Sequence, residues 1–228
     1  MDEAERQRER ERERDNAYRA IGRYIVQFSR LVKHMRLGAV AYFSDGSTER
    51  QTELELLLGE APAQTIANAF FGLCQYVGNL DADEQRVASV LSKAVRTAID
   101  ERNRIAHGDW YVGRWMFDDE AGPTYISEPL LRRILPASGS PITSRLRSPE
   151  QLDALSNDLG ELLDRVAEFG ELALGTFPLG GFRVRDVLTV EDPPKKKQGV
   201  SARVVRNGPK ADEKLWAPWS RLYEPSSS

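Results

Sequence analysis

The stretch that decides the fold, residues 83–107, reads DEQRVASVLSKAVRTAIDERNRIAH. One set of its residues recurs at intervals of three and four, which is the spacing of a single α-helical face. The preceding residues Asn79-Leu80-Asp81 offer a cap, Glu84 is an acidic residue within the first turn, and Gly108 follows in the position that commonly ends a helix. The residues on this face are Ala88, Leu91, Val95, Ala98, Arg102 and Ile105. The segment therefore predicts a helix that carries an arginine on an otherwise apolar face, and such a break in local consistency is typical of a functional or interface position.

Three further segments also have helical character. They are residues 16–36, the apolar run 65–78, and a segment that begins at Ser148, with Ser148 suited to the N-cap, Pro149 to the first helical position and Gln151 to the third. Together with residues 83–107 they predict an all-α bundle of helices with one buried face each. The apolar stripes are Ile21, Ile25, Phe28, Val32 and Met35 in the first segment, and Leu152, Leu155, Leu159, Leu162, Val166 and Phe169 in the last.

The bundle is expected to occupy residues 16–175, with other segments attached to it. Residues 1–15 alternate arginine and glutamate, which predicts a charged, solvated helical extension or a partner-binding arm. Aromatic and β-branched residues around a turn predict a short β-hairpin or an irregular insertion at about residues 110–147. Residues 176–228 form a basic, aromatic-containing C-terminal tail, with a candidate strand at 182–190. The tail either docks on its own domain, stays mobile or binds single-stranded nucleic acid.

Composition narrows the class of protein. Of the 228 residues, 40% are hydrophobic and 29% are charged, and the formal net charge is −3. These values fit a soluble globular protein. Because the net charge is negative, any contact with RNA must be made by a local group of positive side chains. A single cysteine, Cys74, and two histidines argue against a disulfide and against a zinc site. No apolar run approaches the ~20 residues of a membrane span. The N-terminus lacks the apolar core of a signal peptide, so we expect a cytoplasmic protein without membrane contact, metal or other cofactor.

The end of the helical stretch, residues 100–108, carries side chains suited to catalysis and reads DERNRIAHG. It resembles the signature of HEPN domains, in which an arginine is followed, after about four to six residues, by a histidine near a helix end. Here Arg102 and His107 are separated by four residues, and the polar residue Asn103 directly follows the arginine. The resemblance covers roughly residues 16–175. It implies a four- to five-helix bundle that dimerises, with both motifs lining one cleft, and metal-independent cleavage of RNA by the ribose 2′-hydroxyl.

The chemistry of these residues agrees with that expectation. Attack by a 2′-hydroxyl needs a base, and histidine is the side chain that titrates near neutral pH. A guanidinium can stabilise the negative charge that gathers on the phosphorus centre. Asn103 and His107 are four residues apart, so the amide is expected to orient the imidazole. Arg102 lies about 100° around the helix from Asn103, so Arg102 and His107 are expected to meet only across a dimer or at a distorted helix end.

Three further residues are predicted to bind the substrate. Arg104 is expected to contact phosphate, while Trp110 and Tyr111 are expected to stack on bases. Each has a structural alternative: Arg104 can be a solvated side chain, and the two aromatic residues can pack under the insertion.

The catalytic assignment has structural alternatives as well. His107 can simply complement the helix dipole at a C-terminus. Arg102 can form an ion pair with an acid such as Glu101 or Glu168.

The sequence leaves two main functions open. The first is an endoribonuclease that acts as a toxin or antiviral effector and is restrained by an antitoxin or another defence-complex partner. The second is a non-catalytic HEPN-like module for dimerisation or for RNA or nucleotide binding in a regulatory or defence complex. A structural adaptor that uses the charged N-terminal helix is a third. The chain shows no P-loop, no dinucleotide fingerprint and no nucleophile elbow.

Overall fold

The computed structural model confirms a mainly helical fold. It describes residues 3–107, 109–111, 114–118, 122–126, 130–133, 143–146, 148–175, 183–192 and 202–206. Within these residues, five long helices and one single-turn helix follow one another along the chain. They are α1 (Glu3–Ser44), α2 (Thr48–Gly59), α3 (Ala63–Val77), α4 (Ala82–His107), α5 (Pro149–Leu174) and the short α6 (Val184–Val187).

The strands are short and antiparallel. Five of them lie between α4 and α5 in the chain: β1 (Asp109–Tyr111), β2 (Arg114–Asp118), β3 (Gly122–Ile126), β4 (Leu130–Arg133) and β5 (Thr143–Leu146). The first sheet has the order β1-β4-β5, and β2 pairs with β3 as a hairpin in the predicted insertion. Two more strands, β6 (Leu188–Glu191) and β7 (Arg203–Arg206), pair near the C-terminus.

The first helix is longer than the sequence predicts. The charged residues 3–15, the amphipathic residues 16–36 and residues 37–44 form one helix of 42 residues, about 63 Å long. Nothing interrupts it because residues 3–15 contain neither glycine nor proline. The helix ends where Asp45 and Gly46 adopt positive φ angles of 47° and 77°.

Helix α2 was not predicted from the sequence. Three of its four leucines, Leu56, Leu57 and Leu58, are adjacent and so do not mark one helical face, and none of its residues is fully buried. The local signal for the helix is Ser47, whose side chain accepts a hydrogen bond from the Arg50 amide at 3.3 Å.

The apolar faces of α1, α3, α4 and α5 meet in one core, which confirms the helical bundle. α1 packs most extensively against α5. Among the described residues, no helix combines the length and the apolarity needed to cross a membrane. The predicted stripe residues that are buried in this core include Phe28 and Met35 of α1, Ala88, Leu91, Val95, Ala98 and Ile105 of α4, and Leu152, Leu159, Val166 and Phe169 of α5.

Helices α3 and α5 approach each other closely at a glycine. A Cβ atom on Gly170 would lie 2.6 Å from Cζ of Phe70, whose side chain is fully buried. A Cβ on Gly160, ten positions earlier in the same helix, would meet no atom within 4 Å. The two positions therefore form a matched pair for testing this contact.

We expect Gly170→Ala to be less stable than Gly160→Ala by about 1–3 kcal/mol, because only the first substitution overpacks the core. The gain in helix propensity is common to both substitutions and cancels in the comparison. Urea unfolding measures the difference. Equal stabilities would show that the two helices do not approach as closely as the structure places them.

A buried carboxylate secures the start of α4. Asp81 caps the helix by accepting from the Glu84 amide at 3.0 Å, and Glu84 accepts in turn from the Asp81 amide at 2.9 Å. Glu84 is only 1% exposed and also receives Arg183, whose Nη2 lies 2.7 Å from Oε2. Burial acts to raise the pKa of Glu84, but hydrogen bonds from Arg183 and from backbone amides outweigh it and hold the pKa below its ordinary value. The carboxylate is therefore charged and joins α4 to the C-terminal segment.

The residues that follow α5 pack on the bundle as far as the structure describes them. Val184, Val187 and Leu188 lie in the stretch expected to be a tail, yet their side chains are buried in the core. The expected strand at 182–190 is instead a helical turn, α6, followed by β6. Arg206 of β7 adds an ion pair to Glu168 of α5, at 2.7 Å. Residues 193–201 and the part of the predicted tail beyond residue 206 lie outside the described residues.

Candidate active site

The three predicted catalytic residues come together at the end of α4. Nη1 of Arg102 donates to Oδ1 of Asn103 at 3.2 Å and lies 3.5 Å from Nε2 of His107. The guanidinium carbon is 5.9 Å from the centre of the Phe28 ring on α1, within the range of a cation–π contact. One chain therefore assembles an arginine, an amide and an imidazole around one point.

This geometry corrects an expectation drawn from helical spacing. Spacing puts Arg102 and His107 on different faces and predicts that they meet only across a dimer or at a distorted helix end. That prediction is wrong, because α4 remains helical to His107 and the long arginine side chain spans the angle between the faces. The predicted homodimer consequently depends on the family resemblance alone. The amide also differs from expectation, since Asn103 accepts from Arg102 in the structure.

The contacts of Arg102 bear on the alternative that it forms a structural ion pair with Glu101 or Glu168. The two acids considered as its partners are engaged elsewhere: Glu101 pairs with Arg104 at 3.2 Å, and Glu168 pairs with Arg206. Arg102 itself is half-buried, with Asn103, His107 and Phe28 as its contacts within the described residues. Its charge therefore faces the imidazole rather than a carboxylate.

The imidazole is accessible from solvent. His107 is the last residue of α4 and its side chain is exposed. The helix dipole still favours a cation at this end, so a charge-complementing role is compatible with the same position. An exposed imidazole beside a guanidinium can also reach a phosphodiester, which a histidine sealed in the core could not do.

Of the three predicted substrate-binding residues, the structure describes the side chain of Arg104. Arg104 is exposed and pairs with the buried carboxylate of Glu101, so one of its terminal nitrogens is already engaged. Trp110 and Tyr111 belong to β1, directly after the motif helix. Their side chains lie outside what the structure describes, and base stacking by them stays a prediction.

A cavity of about 720 Å³ adjoins the motif between α1, the start of α3 and α4. Arg102 and Asn103 form part of its lining, and α1 contributes two cations, Lys33 and Arg36. Neither Arg36 nor this role for Lys33 was predicted from the sequence. The available signal was a polar stripe on α1 beside its apolar stripe, formed by Ser29, Lys33 and Arg36 at spacings of four and three.

A second cavity, of about 620 Å³, lies between α4 and α5. Its walls are more apolar and include Leu155, Leu159 and Leu162. Lys93 and Glu101 of α4 line it, on a different face of the helix from Asn103.

The remaining histidine and the cysteine do not join the site. His34 is half-buried, and burial lowers the pKa of its imidazole. Cys74 is fully buried, and burial raises the pKa of its thiol to about 12. A protonated thiol inside the core is not a nucleophile at neutral pH. In the part of the chain that the structure describes, no three metal-ligating side chains cluster together.

Comparison of the chain with family models, with curated proteins and with solved structures gave no match. The function is therefore inferred from the residues and geometry of the site.

Proposed function

We propose that this chain is a metal-independent endoribonuclease of the HEPN type. The observation that carries the proposal is the 3.5 Å approach of Arg102 Nη1 to Nε2 of an exposed His107 at a helix end. The neighbouring cavity, lined by cations, supplies room for a polyanionic strand next to that pair.

The geometry suits His107 to the role of general base. A guanidinium only donates hydrogen bonds, so Arg102 and Nε2 form one when Nε2 carries no proton. Once Arg102 has turned from Nε2 to the phosphate, the unprotonated Nε2 can take the proton of a ribose 2′-hydroxyl as the oxygen attacks the adjacent phosphorus. A new P–O2′ bond forms, the P–O5′ bond breaks, and the departing 5′-oxygen takes up a proton from water. The products are a 2′,3′-cyclic phosphate and a 5′-hydroxyl.

The same geometry gives Arg102 and Asn103 supporting roles. The arginine can turn its donors to the phosphate oxygens that gain charge in the transition state. Asn103 accepts a hydrogen bond from that guanidinium, which restricts its orientation before the substrate arrives. The amide is therefore a positioning residue that acts through Arg102.

The family resemblance extends the proposal to assembly and setting. It favours a homodimer whose two motifs share one cleft, and a toxin or antiviral effector that an antitoxin or a defence-complex partner restrains. Both extensions depend on the resemblance, because fold and site chemistry alone do not fix the biological role.

A non-catalytic module that binds RNA or nucleotides is the second candidate. It is favoured by the lining of the cavity, which includes Arg102 and Asn103 but not His107. Such a pocket can hold a nucleotide without any contact to the imidazole.

Incubation of the purified protein with mixed RNA in EDTA distinguishes the two. For the ribonuclease we expect cleavage to persist in the chelator and the new ends to be 2′,3′-cyclic phosphates and 5′-hydroxyls. RNA that is bound but recovered intact would favour the non-catalytic module. Cleavage that stops when EDTA is added would contradict the metal-independent mechanism.

A further inference from the structure

The cavity beside the motif is lined by two cations that the proposed cleavage by Arg102 and His107 does not require. Lys33 and Arg36 stand three residues apart on α1, and both line this cavity together with Arg102. Among the described lining residues, Glu55 of α2 is the one carboxylate, and Gln51 already donates to it at 3.0 Å. The lining therefore has a net positive charge although the whole chain is negative.

Arg36 also has one donor without a partner. Its Nε is buried and has no hydrogen-bond partner among the described residues. A buried donor without an acceptor is costly, and native proteins keep few of them without a functional reason. An anion bound to this guanidinium would supply an acceptor after a shift of the side chain.

The start of α3 adds to the positive potential. Pro62, Ala63 and Gln64 line the cavity at the N-terminal end of this 15-residue helix. Within the described residues, no side chain caps its first amides. The free amides and the helix dipole both favour an anion in front of them.

Another part of the lining is apolar. Phe28, Val32 and Leu37 of α1 and Ile99 of α4 form it. A volume of about 720 Å³ lies within the range of sites for small organic ligands. A ligand with one anionic group and one flat apolar ring system matches both parts, and a nucleotide is such a ligand.

We infer that this cavity binds one nucleotide unit of single-stranded RNA next to the scissile linkage, with its phosphate held by Lys33 and Arg36 and its base against the apolar wall. The inference deepens the proposed ribonuclease function and depends on it for the identity of the strand. The strand must be single, because a base can reach the wall only when it has left its stack.

Binding can be measured apart from cleavage with His107→Ala protein, since His107 does not line the cavity. Fluorescence anisotropy with a short labelled single-stranded RNA, over a series of salt concentrations, gives the affinity and its salt dependence. We expect Arg36→Ala and Lys33→Ala each to weaken binding by about tenfold, as the loss of one charge-assisted phosphate contact does. The slope of log affinity against log salt is expected to become shallower by about 0.7 for each variant.

Two matched variants control for damage to the fold. Lys93→Ala removes a lysine from the second cavity and is expected to leave RNA binding unchanged. Glu55→Gln removes the carboxylate from the proposed site at constant size and is expected to tighten RNA binding. A variant that merely perturbs the fold would not improve affinity.

The outcomes separate this inference from the proposed function. Unchanged RNA binding by Arg36→Ala and Lys33→Ala overturns the inference, even if the wild-type protein cleaves RNA in EDTA. Weakened binding by both variants, with no cleavage by the wild type, supports the cavity and refutes the ribonuclease. Tight binding of AMP without binding of the RNA strand would also overturn the inference, because the occupant would then be a free nucleotide.

Discussion

Replacing His107 by alanine is expected to lower the rate of RNA cleavage by about two to four orders of magnitude, the usual contribution of a general acid–base group. The imidazole Nε2 lies 3.5 Å from Arg102 Nη1, and the other histidine of the chain, His34, lies on α1. Alanine at position 107 therefore leaves the end of α4 without an imidazole to take the proton. Single-turnover cleavage of a labelled RNA, with the protein in excess, measures the loss directly.

The loss should come without a loss of stability. His107 is exposed at the end of α4, so truncating it removes no core contact, and thermal unfolding is expected to match the wild type. Lys93→Ala, which changes an exposed residue on another face of the same helix, should cleave normally. A folded His107→Ala protein that cuts RNA at the wild-type rate would remove the catalytic assignment.

Replacing Glu171 by glutamine is expected to stabilise the protein by about 3 kcal/mol at pH 8. The Glu171 side chain is buried in α5, and its Oε1 has no hydrogen-bond partner among the described residues. Burial, and secondarily the charge of Glu168, raise the pKa of Glu171 from 4.5 to about 7. A difference of this size between the folded and the unfolded chain corresponds to about 3 kcal/mol of unfolding free energy once the group is ionised in both states.

The direction in which stability changes with pH follows from which state of the chain binds the Glu171 proton more tightly. The folded protein holds the Glu171 proton more tightly than the unfolded chain, so the wild type loses stability as the pH rises from about 4.5 through 7. The glutamine variant lacks this dependence, so the two proteins should be equally stable at pH 4 and diverge above it. Urea unfolding at pH 4, 6 and 8 measures the divergence. Glu161→Gln, an exposed glutamate of the same helix, is the control and should follow the wild type.

The helices that were predicted are those whose sequence satisfies several requirements at once. α4 and α5 combine a regular apolar stripe with a cap, and the structure begins them at Ala82 and Pro149, within one residue of expectation. α2 was missed because three of its four leucines are adjacent and none of its side chains is fully buried. The burial of Val184 and Leu188 was missed for a different reason. This short apolar segment is held on the core by a contact between distant residues. Arg183, directly before Val184, donates a hydrogen bond to Glu84, which lies about a hundred residues earlier.

The motif that contains Arg102 and His107 was visible in the sequence, but its geometry was not. Helical spacing gives the direction of each Cβ atom, whereas the approach of Arg102 to His107 depends on the reach of a long side chain. The cavity beside this motif was not predicted, for another reason. Lys33 and Arg36 look like ordinary solvated residues of an amphipathic helix until α3 and α4 are placed opposite them.

The pairing of α1 with α5 has a consequence for synthesis on the ribosome. Its ion pair between Arg23 and Asp153 joins residues 130 positions apart, and it lies within the most extensive helix–helix contact among the described elements. The nascent chain therefore lacks the most extensive partner of α1 until translation has passed residue 175. Chains that stop before α5 would keep α1 and α4, and with them Arg102 and His107, but would leave part of the apolar face of α1 exposed, which favours chaperone capture or degradation.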